Sequence, residues 1–345
     1  LKYSVNGEVV LKDELKGNVD FNDQAGVFTL NDGVNLNTTN TTFDNASNAT
    51  LKFDGDSIIT GILGGDTAGK STFDTIEAGK TGKTVNFTNN VFANNLEIVE
   101  NGAVNLAGNF KGDNINYQND GVLNLSDRKE INSNITTTDG KGTLNLLGSS
   151  TINGTIGTQA DKLKEINSQN SGTTNLNNNV FANNLNIGAG TLNLNGNFTG
   201  DNLNYLANGV VNLANNKVVD SNIRTTADNQ GVLNTIKNAE FRQQIGEETK
   251  KLKEINTAKN DSTTTFNDNV YSSNLNLLES GSVNLNGNFQ GNIVDFKDDA
   301  KLNIANNKNI DARIVVGDED IGEINIAGST IISGDIADSL NKIRA

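Results

Sequence analysis

The sequence predicts an all-β chain that folds as a right-handed parallel β-helix, a solenoid with about 20 residues in each coil. Three observations lead to this prediction. A long segment returns about every 90 residues, a short apolar–Asn–apolar triplet returns at a shorter interval, and Gly, Asn and Asp pairs separate the triplets. Repetition of this kind is typical of stacked similar units rather than a globular domain with one pocket.

The long repeat is clearest in one octapeptide. Residues 89–96 read NNVFANNL, residues 178–185 repeat this sequence, and residues 268–275 carry the diverged copy DNVYSSNL. The chain therefore divides into four blocks within one elongated domain, 1–345. The block boundaries are at about 1–84, 85–173, 174–264 and 265–345.

The short repeat predicts strands that stack in parallel. The triplets end at Phe87, Leu106, Leu125 and Leu146, which are 19, 19 and 21 positions apart. Alternation over three residues indicates short strands with one buried face. A sandwich or meander of hairpins competes with the solenoid, but it gives no reason for the same tripeptide to recur at a constant interval. We expect the leucines to form an apolar ladder inside the coils and the central asparagines to form a matching ladder outside.

Composition limits the function classes. The chain carries 27 basic and 41 acidic residues, a formal net charge of -14, which disfavours nucleic acid and anionic lipid as partners. It lacks His and Cys, the commonest general base and the thiolate nucleophile. We therefore predict that the chain is not an enzyme and holds no metal, cofactor or small-molecule substrate. Aromatic residues make up only 5% of the chain, which fits a narrow interior.

One stretch, 237–255, interrupts the rhythm. Phe241, Ile245, Leu252 and Ile255 follow at spacings of 4, 7 and 3, which predicts a short helix. Charged residues lie between these positions. Two interpretations stay open: the charged face of a helix packed on the solenoid, and a protrusion that binds a partner.

A second irregular stretch, 64–71, reads GGDTAGKS and fits the phosphate-binding pattern G-x-x-x-x-G-K-[ST]. Such a loop follows a strand and opens a long helix. The strand is expected at 57–63, but the residues that follow are few and end at Gly79. We interpret the match as accidental.

Acidic residues do not form a recognisable site. The clusters at 298–299 and 318–320 lack the residue order of calcium-binding loops, so we expect solvated turns. Asp113 and Asp201 occupy equivalent positions in two blocks. Four or five coils would separate them by about 20 Å, beyond the spacing of a glycosidase carboxylate pair.

The order of motifs within a block resembles a known family. NNVFANNL, followed by GTLNLNGNFTG at 190–200 and preceded by KLKEIN at 162–167, resembles the passenger region of rickettsial surface cell antigens, the outer-membrane protein A and B type autotransporters. The resemblance covers most of residues 49–345.

The resemblance implies a passenger exported through a C-terminal β-barrel and displayed on the bacterial cell surface, at the extracellular face of the outer membrane. Residues 341–345 lack the aromatic ending of such barrels, so we expect the barrel to lie outside this chain. The implied function is an adhesin for host-cell attachment and invasion, with a host cell-surface protein as partner. A structural surface coat is the alternative, and a polysaccharide-acting β-helix enzyme is a third hypothesis.

The interrupted stretch supplies the candidate contact residues. An aromatic ring and flexible cations placed off a regular scaffold suit partner recognition. The candidates are Phe241, Arg242, Lys250, Lys251 and Lys253. On this hypothesis, deleting 238–253 reduces binding without unfolding the solenoid.

Overall fold

The computed structural model describes residues 7–20, 25–42, 48–65, 72–168, 171–318, 320–337 and 343. Within these residues the regular elements are all strands, and their pairings are parallel. The predicted all-β parallel solenoid is therefore confirmed. The described part of the chain contains no helix that could cross a membrane.

The chain divides into two compact units. Unit 1 comprises Leu1–Ser168 with Val180–Asn183, and unit 2 comprises Gln169–Asn179 with Asn184–Ala345. The expectation of one elongated domain stays a prediction.

Unit 1 contains seventeen complete strands and the start of an eighteenth. They are Glu8–Leu11 (β1), Leu15–Lys16 (β2), Val19–Asp20 (β3), Val27–Leu30 (β4), Leu36–Thr42 (β5), Thr50–Phe53 (β6), Ser57–Ile62 (β7), Phe73–Ala78 (β8), Thr84–Phe87 (β9), Val91–Ile98 (β10), Ala103–Leu106 (β11), Phe110–Tyr117 (β12), Val122–Leu125 (β13), Lys129–Thr137 (β14), Lys141–Leu146 (β15), Ser150–Ile152 (β16), Leu163–Ser168 (β17) and the first residues of Val180–Ile187 (β19).

The strands of unit 1 form three parallel stacks. Stack A contains β1, β4, β6, β8 and the second halves of β10, β12 and β14. Stack B contains β2, β5, β7, β9, β11, β13, β15 and β17. Stack C contains the first halves of β10, β12 and β14, and then β16. A register shift between Lys111 and Asn114 separates stack C from stack A, so one coil contributes to all three stacks.

Unit 2 contains the remaining strands. They are the rest of β19, Thr173–Leu176 (β18), Thr191–Leu194 (β20), Phe198–Tyr205 (β21), Val210–Leu213 (β22), Lys217–Thr225 (β23), Gln230–Thr235 (β24), Ala239–Phe241 (β25), Leu252–Thr257 (β26), Thr263–Phe266 (β27), Val270–Leu277 (β28), Ser282–Leu285 (β29), Phe289–Phe296 (β30), Lys301–Ile304 (β31), Ile310–Val316 (β32) and Glu323–Ile326 (β33).

Unit 2 also has three stacks. Stack D contains β18, β20, β22, β24, β26 and the second halves of β28, β30 and β32. Stack E runs from the first halves of β21 and β23 through β25, β27, β29 and β31 to β33. Stack F holds the second halves of β21 and β23, a bridge at Ile245, and the first halves of β28, β30 and β32.

The predicted ladders are present in unit 1. Leu106 pairs with Leu125, which pairs with Leu146, and all three are buried. The outward amides are linked by side-chain hydrogen bonds of 2.6, 2.6, 2.7 and 3.0 Å. In order, the linked residues are Asn86, Asn105, Asn124, Asn145 and Asn167. Each inner asparagine donates its Nδ2 to the preceding coil and accepts with Oδ1 from the next, so this polar column adds to the cohesion of the coils.

The interior holds more aromatic rings than expected. The largest fully buried side chains of the described residues are aromatic: nine phenylalanines together with Tyr117 and Tyr205. Each tyrosine donates its hydroxyl to a backbone carbonyl, that of Thr143 at 2.9 Å or that of Val232 at 2.8 Å. The low aromatic content therefore reflects an outer surface poor in rings rather than a narrow interior.

The 90-residue repeat is not a whole number of coils. In unit 2, Leu192 of β20 lies on stack D, and four successive pairings carry that stack to Leu275. The equivalent of β20 in the next block is β29, which lies on stack E. One block therefore advances the chain by four coils and one further stack. Equivalent strands of successive blocks lie on different sides of the coil.

Candidate interaction surface

A loop leaves the coil at the same place in two blocks, at Gly157 and Gly246, and Gly64 occupies the equivalent position in a third block. The φ angles of Gly64, Gly157 and Gly246 are +71°, +65° and +69°. A Cβ at Gly157 would lie 2.4 Å from the Phe181 carbonyl oxygen, and one at Gly246 would lie 2.3 Å from that of Tyr271. Only glycine combines this left-handed conformation with such a close approach of the next coil.

An outward aromatic ring lies beside each of these three glycines, on the following coil. Phe92, Phe181 and Tyr271 donate their backbone N–H to the carbonyls of Leu63, Ile156 and Ile245 at 2.8, 2.7 and 2.7 Å. Each of the three aromatic residues is partly exposed, whereas the valine before it is buried. The side chains of a strand alternate between faces, so the three rings lie on the outer surface.

We name these combinations the loop–aromatic sites. Site 1 comprises Gly64 and Phe92, site 2 comprises residues 157–162 and Phe181, and site 3 comprises residues 246–251 and Tyr271. Sites 1 and 2 lie in unit 1, and site 3 lies in unit 2.

The loops of sites 2 and 3 are closed by their own hydrogen bonds. The Thr158 N–H donates to the Asp161 carbonyl at 2.8 Å, and the Asp161 N–H donates to Thr158 Oγ1 at 3.0 Å. Glu247 and Lys250 exchange two backbone hydrogen bonds of 3.0 Å. Both loops therefore have defined shapes before any partner binds, which lowers the entropy that binding must overcome.

The phosphate-binding pattern at 64–71 begins at Gly64 of site 1. Gly64 and Gly65 are described, whereas 66–71 lie outside the described residues. The residues that follow the pattern form the strand β8, where a phosphate-binding loop would open a helix.

The predicted helix within 237–255 is wrong. Ala239–Phe241 and Leu252–Thr257 are strands, and Glu247 pairs with Lys250 in a tight turn between them. The four apolar residues that defined the helical spacing are all buried. They lie on three different stacks, and the corners between the stacks produce the irregular spacing.

The prediction that Phe241 contacts a partner is also wrong. Its side chain is 1% exposed and its ring stacks on Phe266, with centroids 5.2 Å apart and planes inclined by 12°. The residue aligns between Val219 and Phe266 in stack E. A ring held inside the coil cannot reach a partner.

The charged candidates lie on the surface. Lys250 and Lys251 belong to site 3, and the Lys251 N–H donates to Asp228 Oδ1 at 2.9 Å. Arg242 contacts Glu240 at 3.1 Å and Asp220 at 3.5 Å, and the neighbouring Glu240 carboxylate raises the pKa of its guanidinium. Lys253 is exposed on β26. Their role in binding stays a prediction.

Sequence reasoning missed the three outward rings. Phe92 stands between Val91 and Ala93, and both neighbours are buried. Alternation across these three residues was the available signal, because it places the aromatic residue on the face opposite the two small apolar ones.

The described acidic residues at 113 and 298–299 are part of open surface or turns, and Glu319 of the 318–320 cluster lies outside the described residues. Asp299 donates its N–H to Asp298 Oδ1 at 2.7 Å and accepts from the Gly322 N–H at 3.1 Å. Asp113 is exposed and lines an open groove of 380 Å³ whose other polar side chains are Ser133 and amides. Among the described residues, no group of three His, Cys, Asp or Glu side chains could hold a metal ion.

A carboxylate secures one corner of the coil in each unit. Glu100 accepts from the Thr81 N–H and from Lys80 Nζ, both at 3.0 Å, and these bonds hold its pKa at about 2. Glu279 is bonded in the same way by the Asn260 N–H and Lys259, which lower its pKa. The ionised form is favoured at both corners because donors surround the carboxylate.

These corners predict acid sensitivity. The pKa of Glu100 is lower in the folded chain than its ordinary value of 4.5, so its contribution to stability is complete above pH 4.5 and is lost as the pH falls towards about 2. We expect Glu100→Gln to flatten the dependence of the melting temperature on pH across this window. Thermal melts in a pH series measure the slope, with Glu248→Gln on the exposed turn as the control. An unchanged slope in Glu100→Gln would contradict the assignment.

Comparison with known proteins returns no match: no protein family, no curated protein and no solved structure matches this chain.

Proposed function

We propose that this chain is a binding protein of a bacterial surface, an adhesin passenger that contacts a host cell-surface protein. The observation that carries the proposal is the recurrence of the loop–aromatic site in three blocks. Aromatic residues are enriched at protein interfaces, and tyrosine is among the residues enriched at the few positions that carry most of the binding energy. A solenoid offers an extended regular scaffold on which such sites can be repeated.

The sequence resemblance supports the location. The motif order that resembles rickettsial autotransporter passengers includes the octapeptides that contain Phe92 and Phe181. The same residues therefore carry both the resemblance and the outward rings, which supports display on the outer face of the bacterium.

Adhesion is tested with coated beads. Beads that carry the full chain are expected to bind host cells saturably and to compete with bacterial attachment. A triple variant, Phe92→Ala with Phe181→Ala and Tyr271→Ala, should lose at least about tenfold in apparent affinity, because hot-spot truncations cost about 2 kcal/mol or more each. If beads that carry the wild-type chain bind no host cell type, the proposal is refuted.

The control for this experiment alters polar surface on the outward amide columns. Asn124→Ser, Asn145→Ser and Asn212→Ser alter the outward amide columns and leave the rings in place. Comparable loss in this control variant would assign adhesion to the columns instead of the loop–aromatic sites. Far-UV circular dichroism and thermal melts establish that both variants are folded.

A surface coat is the second candidate, and a separate observation favours it. Leu147 and Ile236 follow β15 and β24 at equivalent positions of two blocks, and their side chains are 59% and 53% exposed. In a coat, contacts between neighbouring copies would bury these two exposed apolar side chains. Concentration-dependent assembly in analytical ultracentrifugation, abolished by Leu147→Asp with Ile236→Asp, would support the coat.

A further inference from the structure

An open groove of 380 Å³ crosses three successive coils of unit 1. It is lined by residues 112–114 of β12, residues 132–134 of β14, and Asn153 with Gly154 after β16. Neighbouring coils are about 4.8 Å apart, so the first and third coils of the groove lie about 10 Å apart. Every lining residue is a glycine or carries a polar side chain. A ligand is therefore held here by hydrogen bonds rather than by apolar contact.

Two glycines give the groove its shape. A Cβ at Gly112 would lie 1.9 Å from the Ala93 carbonyl oxygen, and a Cβ at Gly154 would lie 1.9 Å from the Ser133 carbonyl oxygen. No other residue fits at either position without a shift of the backbone. The close approach of the coils therefore explains why the first and third coils each lack a side chain in the groove.

The polar groups of the groove are only partly used within the chain. Asn132 Oδ1 accepts from Asn153 Nδ2, and Asn134 Oδ1 accepts from the Thr155 N–H at 3.0 Å. The Nδ2 groups of Asn132 and Asn134 donate to no described residue. The exposed Asp113 carboxylate accepts no hydrogen bond and forms no ion pair within the part of the chain that the structure describes. One groove thus offers two amide donors and a carboxylate acceptor.

The hydroxyl groups of a sugar match this arrangement. A hydroxyl can donate to a carboxylate and accept from an amide at the same time. Asp113 is the only charged side chain among the eight lining residues, and its negative charge disfavours an anionic sugar.

We propose that this groove binds a neutral mono- or disaccharide, with Asp113 as the acceptor and Asn132 and Asn134 as the donors. The inference goes beyond the proposed function, since no residue of the groove belongs to a loop–aromatic site. The site recognises sugar without cleaving it, because a single carboxylate does not supply the pair that glycoside hydrolysis needs.

The equivalent place in unit 2 lacks a free amide donor. Asp201 repeats Asp113, but Asp220 takes the place of Asn132, and Gln243 stands where unit 1 has a glycine. Gln243 Nε2 donates to Asp220 Oδ1 at 3.1 Å. Unit 2 therefore has a second carboxylate in place of a donor and an additional side chain bonded to it, and we expect no sugar to bind there.

Saturation-transfer difference NMR on the full chain in EDTA tests the inference, with the methyl glycosides of glucose, mannose and galactose as probes. We expect magnetisation transfer to at least one of the three. Asp113→Asn removes the carboxylate, and Asn132→Asp replaces an amide donor with an acceptor. Each should raise the apparent Kd of that probe by about tenfold or more, the effect of losing a hydrogen bond to a charged group or of leaving a polar group unpaired.

The two variants change the net charge in opposite directions, so parallel losses exclude a general effect of charge. Asp201→Asn is the matched control, because it makes the same chemical change at the equivalent position of unit 2. It should leave the Kd within about twofold, as expected for a distant site. Thermal melts of all variants should match that of the parent.

Absence of transfer to all three glycosides would overturn the inference. Equal Kd values in the parent, Asp113→Asn and Asn132→Asp would overturn it too, since the sugar would then lie elsewhere. Transfer that requires added calcium would show binding through a metal instead of direct recognition. Stronger transfer to methyl glucuronide than to methyl glucoside would refute the preference for a neutral sugar.

Discussion

Gly142→Ala is expected to destabilise unit 1 by about 2–5 kcal/mol. Gly142 has a φ of +77°, and a Cβ there would lie 2.5 Å from Cδ1 of the Tyr117 ring. The left-handed conformation costs an alanine about 1–2 kcal/mol, and forcing an atom into a packed interior costs about 1–3 kcal/mol more. The ring cannot move aside easily because it is fully buried and its hydroxyl is bonded to the Thr143 carbonyl. Urea unfolding followed by circular dichroism measures the loss.

Gly140 provides the matched control, in the turn that precedes β15 and two residues before Gly142. Its φ is +70°, and the nearest atom to a Cβ there is the Asn183 amide nitrogen at 3.7 Å. Gly140→Ala should therefore cost only the conformational part, about 1–2 kcal/mol. Equal losses in the two variants would show that the Tyr117 ring relaxes at little cost.

Phe241→Ala is expected to lower the free energy of unfolding of unit 2 by about 3–5 kcal/mol, the usual cost of removing a buried phenylalanine ring. The ring stacks on Phe266 and continues the interior of stack E from Val219. Its removal leaves a cavity that strands on both sides of β25 cannot close, because their register is fixed by the coils above and below. Thermal melts and hydrogen exchange of β23 and β27 measure the effect.

The neighbouring residue serves as the control. Arg242→Ala removes an exposed side chain whose ion pairs with Glu240 and Asp220 lie at the surface, so we expect a loss below about 1 kcal/mol. If Phe241→Ala lowers the free energy of unfolding as little as Arg242→Ala does, the buried stacking of Phe241 on Phe266 is contradicted. The deletion of 238–253 is no longer a test of binding alone, because it removes β25 and interrupts stack E.

The sequence predicted the ladders because they depend on local alternation. A triplet such as residues 104–106 has one polar side chain between two apolar ones, and in a strand this pattern allows only one orientation. The constant spacing then brings identical residues together on successive coils. The register of Leu106, Leu125 and Leu146 follows from these two facts.

The stack to which each triplet belongs could not be predicted. Triplets on all stacks share the same pattern, so the residues of β20 and β29 look alike although they lie on stacks D and E. The advance by one stack in each block depends on the total number of residues in the block. No single motif indicates it. The outward rings of the loop–aromatic sites were predictable in orientation, but their proximity to the loops depends on pairing between coils.

The helix was predicted wrongly for a related reason. Inward positions at a corner are separated by turns of variable length, and in 237–255 the resulting intervals coincide with those of a helical face. The strands β25 and β26 are three and six residues long, too short for their own alternation to outweigh the longer pattern.

The fractional length of the block has a consequence for how this chain can change over evolution. A strand of one block must pack on a strand of another sequence type in the next, as Phe266 does on Phe241. At each junction between blocks, the interior therefore already accommodates strands of both sequence types packed on each other. A gene that gains or loses one block keeps compatible neighbours at the join, while every site beyond the join rotates to another side. The number of blocks thus sets the directions in which the molecule presents its sites, without any change to the sites themselves.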